Sequence, residues 1–135
     1  MNLSSRAVLD SYALLSLLKN EKGAKRVQAY LEAAQKKRLS LFLNMMNAGE
    51  VFYITSRREG EQKAFETWGI IKHLPLQIVQ NDEVLVLQAA SLKGRIAFSY
   101  ADAFAAATAQ LKSATLITGD LEFKALSKEI EIDWI

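Results

Sequence analysis

Short apolar runs alternate with longer amphipathic segments along the chain, and this alternation constrains the fold more than any other feature. The apolar runs are AVLD, LSLFL, LQIVQ, ATLIT and IEIDWI, beginning at residues 7, 39, 76, 114 and 130. The segments between them repeat apolar residues at spacings of three and four, as amphipathic helices do. Because the runs are too uniformly apolar to leave one face in water, they predict a mainly parallel sheet with helices on both sides. We therefore expect an α/β fold.

Length and composition favour a single domain that covers residues 1–135. A chain of this size buries about two-thirds of its unfolded surface in one core. The sequence contains no cysteine, which excludes disulfides and thiolate metal sites. No apolar run approaches the roughly 18 residues of a transmembrane helix, and the N-terminus lacks the apolar segment of a secretory signal. We therefore expect a cytoplasmic protein that makes no membrane contact.

The charge of the chain permits a polyanionic substrate without requiring one. The net charge is +2, but residues 1–72 carry 12 Lys and Arg against 7 Asp and Glu, whereas residues 73–135 carry 5 against 8. Basic clusters of this kind are most often solvated helix faces. Charge therefore selects no function class, and the chemistry must be inferred from particular residues.

Three of the five aspartates stand where a predicted helix begins in apolar surroundings: Asp10, Asp102 and Asp120. Asp10 and Asp120 end or follow apolar runs, so both lie at the carboxyl ends of predicted strands, where α/β sheets bind ligands. Each aspartate could also be a simple helix cap, since its side-chain oxygen accepts a hydrogen bond from a first-turn amide. For Asp102, the pattern SYAD fits a capping box with Ser99. Taken singly, capping explains each acid at least as well as catalysis does.

Glu50 is the acid that capping does not explain. It lies well inside a predicted helix, with Met46 and Val51 close by in the sequence. A carboxylate in so apolar a segment is costly to bury unless it is paired or bound to a cation, although one exposed stripe of the helix would keep it in water. Gly49 beside it lowers helix propensity, which suggests that another group approaches the backbone closely there.

Together the four acids predict a divalent metal site. Converging carboxylates repel one another, so the arrangement persists when a cation neutralises them. A donor set made only of oxygen atoms suits Mg²⁺ or Mn²⁺ rather than zinc. Such a site suits phosphodiester hydrolysis, because the metal activates a water and stabilises charge on the departing oxygen. Ser11 and Thr118 are expected to orient acids or waters rather than to attack the substrate.

Other catalytic routes find little support in the sequence. His73 is the only histidine, which excludes a two-histidine ribonuclease mechanism. A cysteine nucleophile, a GxSxG elbow, a Walker loop and a GxGxxG motif are all missing. A phosphohydrolase of the HAD type would need a second aspartate two residues after Asp10, where this chain has Tyr12. A receiver domain would need extra acids beside Asp10 and a lysine after a late strand, and neither feature is evident in the sequence.

Four motifs, in their order and spacing, resemble those of the PIN-domain ribonucleases: AVLDSYALLSLL, NAGEVFYI, SYADAFAAATA and LITGDLEFKAL. The resemblance covers essentially the whole chain and points in particular to the VapC-type toxins of toxin–antitoxin pairs. It implies a five-stranded parallel sheet between helices. It also implies a metal-dependent endoribonuclease that hydrolyses RNA phosphodiester bonds.

The resemblance further implies site residues and partners. Four carboxylates would bind Mg²⁺ or Mn²⁺, supported by two hydroxyl groups. The corresponding residues are Asp10, Glu50, Asp102 and Asp120, with Ser11 and Thr118 as the supporting pair. The implied partners are an RNA substrate and a cognate VapB-type antitoxin. We also expect a homodimer, partly from the family and partly because Val51–Ile54 holds more large apolar residues than one helix face can bury.

The alternative from another functional class is a catalytically silent PIN-like module that binds only RNA or a partner protein. All four acids are present, so the sequence offers nothing in favour of inactivity. A metal-dependent cleavage assay on mixed RNA, with an Asp10→Asn control, distinguishes the two possibilities.

Overall fold

Five strands and seven helices follow one another along residues 2–135, the part of the chain described by a computed structural model. The strands are β1 (Arg6–Leu9), β2 (Ser40–Asn44), β3 (Gln77–Val79), β4 (Thr115–Thr118) and β5 (Ile132–Trp134). The helices are α1 (Ser11–Leu18), α2 (Ala24–Gln35), α3 (Met45–Glu59), α4 (Glu61–Lys72), α5 (Glu83–Arg95) and α6 (Tyr100–Leu111), followed by a 3-10 helix (Leu121–Leu126). Within this described part, no helix combines the length and apolar character needed to cross a membrane.

The strands form one sheet in the order β3-β2-β1-β4-β5, and each neighbouring pair is parallel. Chain order runs outward from β1 to β3 on one side and from β4 to β5 on the other. The topological switch therefore lies between β1 and β4, where Leu9 pairs with Ile117. The predicted α/β fold with a five-stranded parallel sheet is confirmed.

Each face of the sheet carries its own hydrophobic core, because successive side chains of a strand point to opposite faces. Val8, Phe42 and Leu116 pack with residues of α5, α6 and the 3-10 helix. Leu9 and Ile117 pack on the other face with residues of α1, α2, α3 and α4. Complete burial of a Val, Leu, Ile or Phe side chain contributes roughly 1.5–3 kcal/mol. Helices thus cover both faces, as the uniformly apolar strands predict.

The first helix ends earlier than the sequence pattern predicts. Apolar spacing favours a helix over residues 11–23, but α1 ends at Leu18. Asn20 then adopts a left-handed conformation with φ 52°, and Gly23, with φ 93°, caps α2. Two left-handed residues cannot continue a right-handed helix, so the chain turns here. A Cβ atom on Gly23 would also lie 2.9 Å from the side chain of Ile135. The structure therefore leaves no room for a side chain at this position.

The segment Val51–Ile54 is more fully packed than its composition suggests. Val51 is completely buried in the core. Phe52 packs edge-to-face on Phe65 of α4, with 4.9 Å between ring centroids. Tyr53 remains 48% exposed. Packing between α3 and α4 therefore buries some of the large apolar side chains on which the sequence-based expectation of a homodimer rests.

A position in a predicted helix and one in a predicted strand favour core packing for both tryptophans, but the structure differs for Trp134. Trp68 is partly buried and packs against the core on the side of α1 to α4. Trp134 is exposed, because it belongs to β5 at the edge of the sheet. An edge strand has a neighbour on one side only, so its side chains pack less completely than those of β1 or β4.

Asn44 joins the end of β2 to the helix that follows it. The side chain is fully buried, and its Oδ1 accepts a hydrogen bond from the amide of Met46 at 2.8 Å, which caps α3. Its Nδ2 donates to Asn81 at 2.7 Å and to Thr108 at 2.9 Å. One buried side chain therefore fixes the start of α3, the helix that carries Glu50.

Replacing Asn44 with alanine should lower the free energy of unfolding by about 1–2 kcal/mol, because the α3 cap and two side-chain hydrogen bonds are lost. Asn81→Ala removes one of those hydrogen bonds from a less buried side chain and should cost less. Urea unfolding followed by circular dichroism measures both variants. An Asn44→Ala protein as stable as the parent would show that this network contributes nothing.

Candidate functional site

Asp10 and Asp120 lie at the carboxyl ends of β1 and β4, the two strands at the topological switch. Asp10 is 1% exposed and caps α1, with its Oδ1 accepting a hydrogen bond from the amide of Ala13 at 2.8 Å. Asp120 caps the 3-10 helix, with its Oδ1 accepting from the amide of Glu122 at 3.0 Å. Both acids therefore act as caps, and capping uses only the Oδ1 atom of each carboxylate.

Thr118, the last residue of β4, connects these two acids. Its buried hydroxyl donates a hydrogen bond to Oδ2 of Asp10 and accepts one from the amide of Asp120 at 3.0 Å. A threonine hydroxyl has one proton to donate, and here that proton is directed at Asp10. The contact holds the Asp10 carboxylate in one orientation, as a supporting hydroxyl should.

Glu50 lies in the second turn of α3, where it is half-buried, and Ser11 donates a hydrogen bond to its Oε1. Because Ser11 directly follows Asp10, this bond brings the α3 carboxylate to the end of β1. The expectation about Gly49 is wrong, since a Cβ atom there would meet no atom within 4 Å. The helix is open to solvent at this residue, so no close approach requires the glycine.

Asp102, in the first turn of α6, is the third aspartate at this edge of the sheet. Its amide donates to the hydroxyl of Ser99 at 3.1 Å, one of the two hydrogen bonds of the capping box that the SYAD pattern predicts. The side chain is 7% exposed. Asp102, Asp120 and Glu122 each offer an oxygen atom, and these atoms lie within 4.8 Å of one another. Two of the predicted acids are thus within reach of one shared ion.

The sequence patterns do not single out Glu122, although its position two residues after Asp120 is the signal that could have done so. The first turn of the 3-10 helix faces the site, so a side chain there reaches the same space. Asp10 and Glu50 lie outside the group of three carboxylates whose oxygen atoms are within 4.8 Å of one another, although the charges of Asp102 and Asp120 act on Asp10 and that of Glu50 acts on Asp102. We refer to the five carboxylates together as the acid cluster. Its members are Asp10, Glu50, Asp102, Asp120 and Glu122.

Asn47 is a second residue that sequence reasoning misses. It is fully buried one turn before Glu50, and its Nδ2 donates to the carbonyl oxygen of Ala101 at 3.1 Å. Its Oδ1 has no hydrogen-bond partner among residues 2–135. Because Ala101 precedes Asp102, this bond ties α3 to α6 beside the acid cluster. The signal available in the sequence was an asparagine three residues before Glu50, in a segment with many apolar residues.

Burial is the main influence on the charge of Asp10. Loss of hydration raises its pKa from 3.8 to about 7. The hydrogen bond from Thr118 acts in the opposite direction, because it stabilises the carboxylate form. The negative charges of Asp102 and Asp120 raise the pKa further, by repulsion. Asp10 is thus costly to ionise without a nearby positive charge.

Asp102 is affected in the same direction. Loss of hydration is the largest cause, followed by the negative charge of Asp120, and the pKa rises from 3.8 to about 6. Hydrogen bonds with Ser99 lower it, and the charge of Glu50 raises it slightly. These mutual effects show that the acids lie close enough to repel one another.

The donor atoms of the cluster fit a hard divalent cation. All of them are carboxylate oxygens, which match the preference of Mg²⁺ and Mn²⁺. The two ion pairs among residues 2–135 are Arg26–Asp133 and Arg95–Glu129, so neither neutralises an acid of the cluster. Uncompensated carboxylates favour a bound cation, because the cation removes their repulsion.

The amino-acid sequence matches the model of the PIN domain over residues 7–129. This range contains every member of the acid cluster, together with Ser11 and Thr118. No match to the chain was found among curated protein sequences.

Three similar solved structures show the same fold. VapBC2 from Rickettsia felis, bound to a DNA fragment from their promoter, has 16% identity and a TM-score of 0.73, over 95% of this chain and 97% of that one. DNA-bound VapBC from Salmonella typhimurium has 19% identity and a TM-score of 0.72, over 96% and 98%. VapC20 from Mycobacterium tuberculosis, a sarcin-ricin loop cleaving toxin, has 17% identity and a TM-score of 0.70, over 88% and 93%. At these identities, activity must be argued from the site.

The raised pKa values of Asp10 and Asp102 make the stability of the metal-free protein depend on pH. Both carboxyls hold a proton more readily in the folded than in the unfolded protein, so the free energy of unfolding should fall as pH rises from about 4 to about 7 and level off above that. The contribution of Asp10 to this change in the free energy of unfolding is about 4 kcal/mol, from a pKa raised from 3.8 to about 7. Urea unfolding in EDTA across this range measures the slope.

The matched control for this measurement is Asp82, which caps α5 through the amide of Leu85 at 2.9 Å but lies outside the acid cluster. Asp10→Asn should flatten most of the slope and stabilise the protein at neutral pH, whereas Asp82→Asn should leave the slope unchanged. A parent protein whose stability rises over this window would contradict the assignment.

Proposed function

The chain belongs to the PIN domain family, and we propose that it is a Mg²⁺- or Mn²⁺-dependent endoribonuclease, the toxin of a VapBC-type toxin–antitoxin pair. The proposed reaction is the hydrolysis of RNA phosphodiester bonds. Four acids would hold the metal and carry catalysis. They are Asp10, Glu50, Asp102 and Asp120.

The observation that carries this proposal is a group of three carboxylates within 4.8 Å of one another, with Asp10 and Glu50 near enough for charge repulsion within the cluster. Neither ion pair among residues 2–135 supplies a cation to it. A structural role would not need this arrangement. Caps require one acid for each helix, and repulsion raises the pKa of Asp10 and Asp102. A site for a divalent cation explains why the acids are kept together.

Different residues of the chain have different roles in such a site. Thr118 orients Asp10 through its hydroxyl, and Ser11 orients Glu50. Burial of Asp10 and Asp102 keeps bulk water from screening their charge. When bound, the metal would activate a water and stabilise charge on the departing oxygen.

The proposed partners follow from the neighbours and from the exposed surface. Similar structures are complexes of toxins with antitoxins, among them VapBC from Salmonella typhimurium and VapBC2 from Rickettsia felis. On this basis we propose that a VapB-type antitoxin binds the chain. A homodimer is proposed because large apolar side chains remain exposed on α3 and α4, namely Tyr53, Phe65 and Ile70. Because the proposed substrate is RNA, we also propose that the protein acts in the cytoplasm.

Asp120→Asn tests the metal-binding role against the capping role. Asparagine caps a helix about as well as aspartate, so the variant should stay folded, and its metal-free stability should be unchanged or slightly higher because repulsion is relieved. If Asp120 holds a divalent ion, cleavage of mixed RNA should fall by about a hundredfold or more. EDTA should abolish cleavage by the parent, and Mg²⁺ or Mn²⁺ should restore it.

Asp82→Asn is again the matched control, because it changes a helix cap outside the site and should cut RNA at the parental rate. An Asp120→Asn protein that retains parental activity would return Asp120 to the role of a cap. A parent that binds RNA without cutting it in either metal would favour the silent PIN-like module instead.

The homodimer is tested by sedimentation of the purified protein at tens of micromolar, a concentration at which an interface with micromolar affinity is largely occupied. We expect a dimer, and Tyr53→Glu should shift it towards monomer by placing a charge in the exposed apolar surface. A parent protein that sediments only as a monomer would contradict the proposal.

A further inference from the structure

The aromatic ring of Tyr12 lies directly against Gly119. A Cβ atom on Gly119 would lie 2.3 Å from Cε1 and 2.6 Å from Cζ of this ring, far closer than atoms approach in proteins. Positive φ angles occur at Gly23 and Gly60 but not at Gly119. The glycine is therefore explained by the space that the ring occupies and not by an unusual backbone conformation.

This contact holds the ring at the border of the acid cluster. Gly119 stands between Thr118, which is bonded to Asp10, and Asp120, which caps the 3-10 helix. Tyr12 itself follows Asp10 by two residues in the first turn of α1. Tyr12 thus belongs to the helix that Asp10 caps, and its ring contacts the segment that leads to Asp120.

Part of the Tyr12 side chain is open to solvent. Tyr12 is 41% exposed, although its neighbours Ser11 and Ala13 are buried. The ring therefore contacts protein at Gly119, while part of the side chain remains exposed to solvent. A rigid aromatic side chain fixed in this way loses little conformational entropy when a ligand binds to it.

We propose that the exposed ring of Tyr12 is a stacking platform for an unpaired nucleobase beside the phosphodiester bond that is cut. This inference rests on the proposed function and adds a residue that binds the substrate. Single-stranded RNA is commonly recognised by aromatic side chains on which splayed bases stack. Stacking tolerates any base, because every base has a π-face.

The charge of the site gives a physical reason for such a platform. The acid cluster repels RNA phosphates except where a cation intervenes, and neither ion pair among residues 2–135 brings a basic side chain to the cluster. Contacts that do not depend on phosphate charge avoid this repulsion and add affinity close to the scissile bond. A base stacked on Tyr12 supplies this affinity without adding positive charge that would compete with a metal.

Binding of a labelled adenine octaribonucleotide, followed by fluorescence anisotropy in Mg²⁺, tests the platform. An Asp10→Asn background prevents consumption of the probe, and an octamer with abasic sugars serves as the second probe. Tyr12→Ala should weaken binding of the adenine probe about tenfold, the typical loss of one stacked base, and leave the abasic probe unchanged. Tyr12→Phe, which keeps the ring, should bind both probes like the background protein.

Leu87→Ala is the control for the loss of an exposed apolar side chain, because Leu87 is exposed on α5, a helix that carries no acid of the cluster. It should not change the binding of either probe. Urea unfolding of each variant confirms that it is folded. Equal losses on both probes, or a Tyr12→Phe variant as weak as Tyr12→Ala, would overturn the stacking role.

Cleavage kinetics in the otherwise unaltered protein separate this inference from the proposed function. Tyr12→Ala should raise KM about tenfold and leave kcat nearly unchanged, because stacking binds substrate and transition state alike. If the parent does not cut RNA, the proposed function fails, while the anisotropy measurement still decides the role of Tyr12. If Tyr12→Ala changes neither binding nor KM, the ring is not a base platform, and its exposed part would be left to a protein contact.

Discussion

The candidate site depends on the parallel pairing of β1 with β4. Their register sets Leu9 beside Ile117, so the residues that follow both strands leave the sheet at the same edge. The buried Thr118 hydroxyl then fixes Asp10 against the turn that leads to Asp120. A shift of one residue in this pairing would turn the side chains of a strand to the opposite face. The sheet therefore determines where the acids meet.

Bringing the acids together opposes folding, and the structure offsets that cost elsewhere. Asp10 and Asp102 lose hydration and repel their neighbours, which raises the pKa of each. Both faces of the sheet carry well-buried apolar cores, and the acids also cap helices. The same side chains thus contribute to helix starts and create the negative charge that a divalent cation would neutralise. Such a conflict between stability and local charge is typical of functional sites.

Much of the fold and most of the acid cluster could be predicted from the sequence. Asp10 and Asp120 were recognisable because each follows an apolar strand, a local pattern that a sequence displays directly. Glu122 was not, since its relation to Asp102 arises only when the 3-10 helix packs beside α6. Asn47 was missed for a similar reason, because its hydrogen bond to the Ala101 carbonyl joins two helices distant in sequence.

The sequence alone determined the α/β class, the parallel sheet, and the candidate acids and hydroxyls, because periodicity and the residue types at strand ends are local properties of the chain. Only the tertiary structure decided which side chains meet. It ended α1 at Leu18, left Gly49 open to solvent and seated the Tyr12 ring on Gly119. These outcomes depend on the turns and on packing between elements distant in sequence, and a local pattern contains neither.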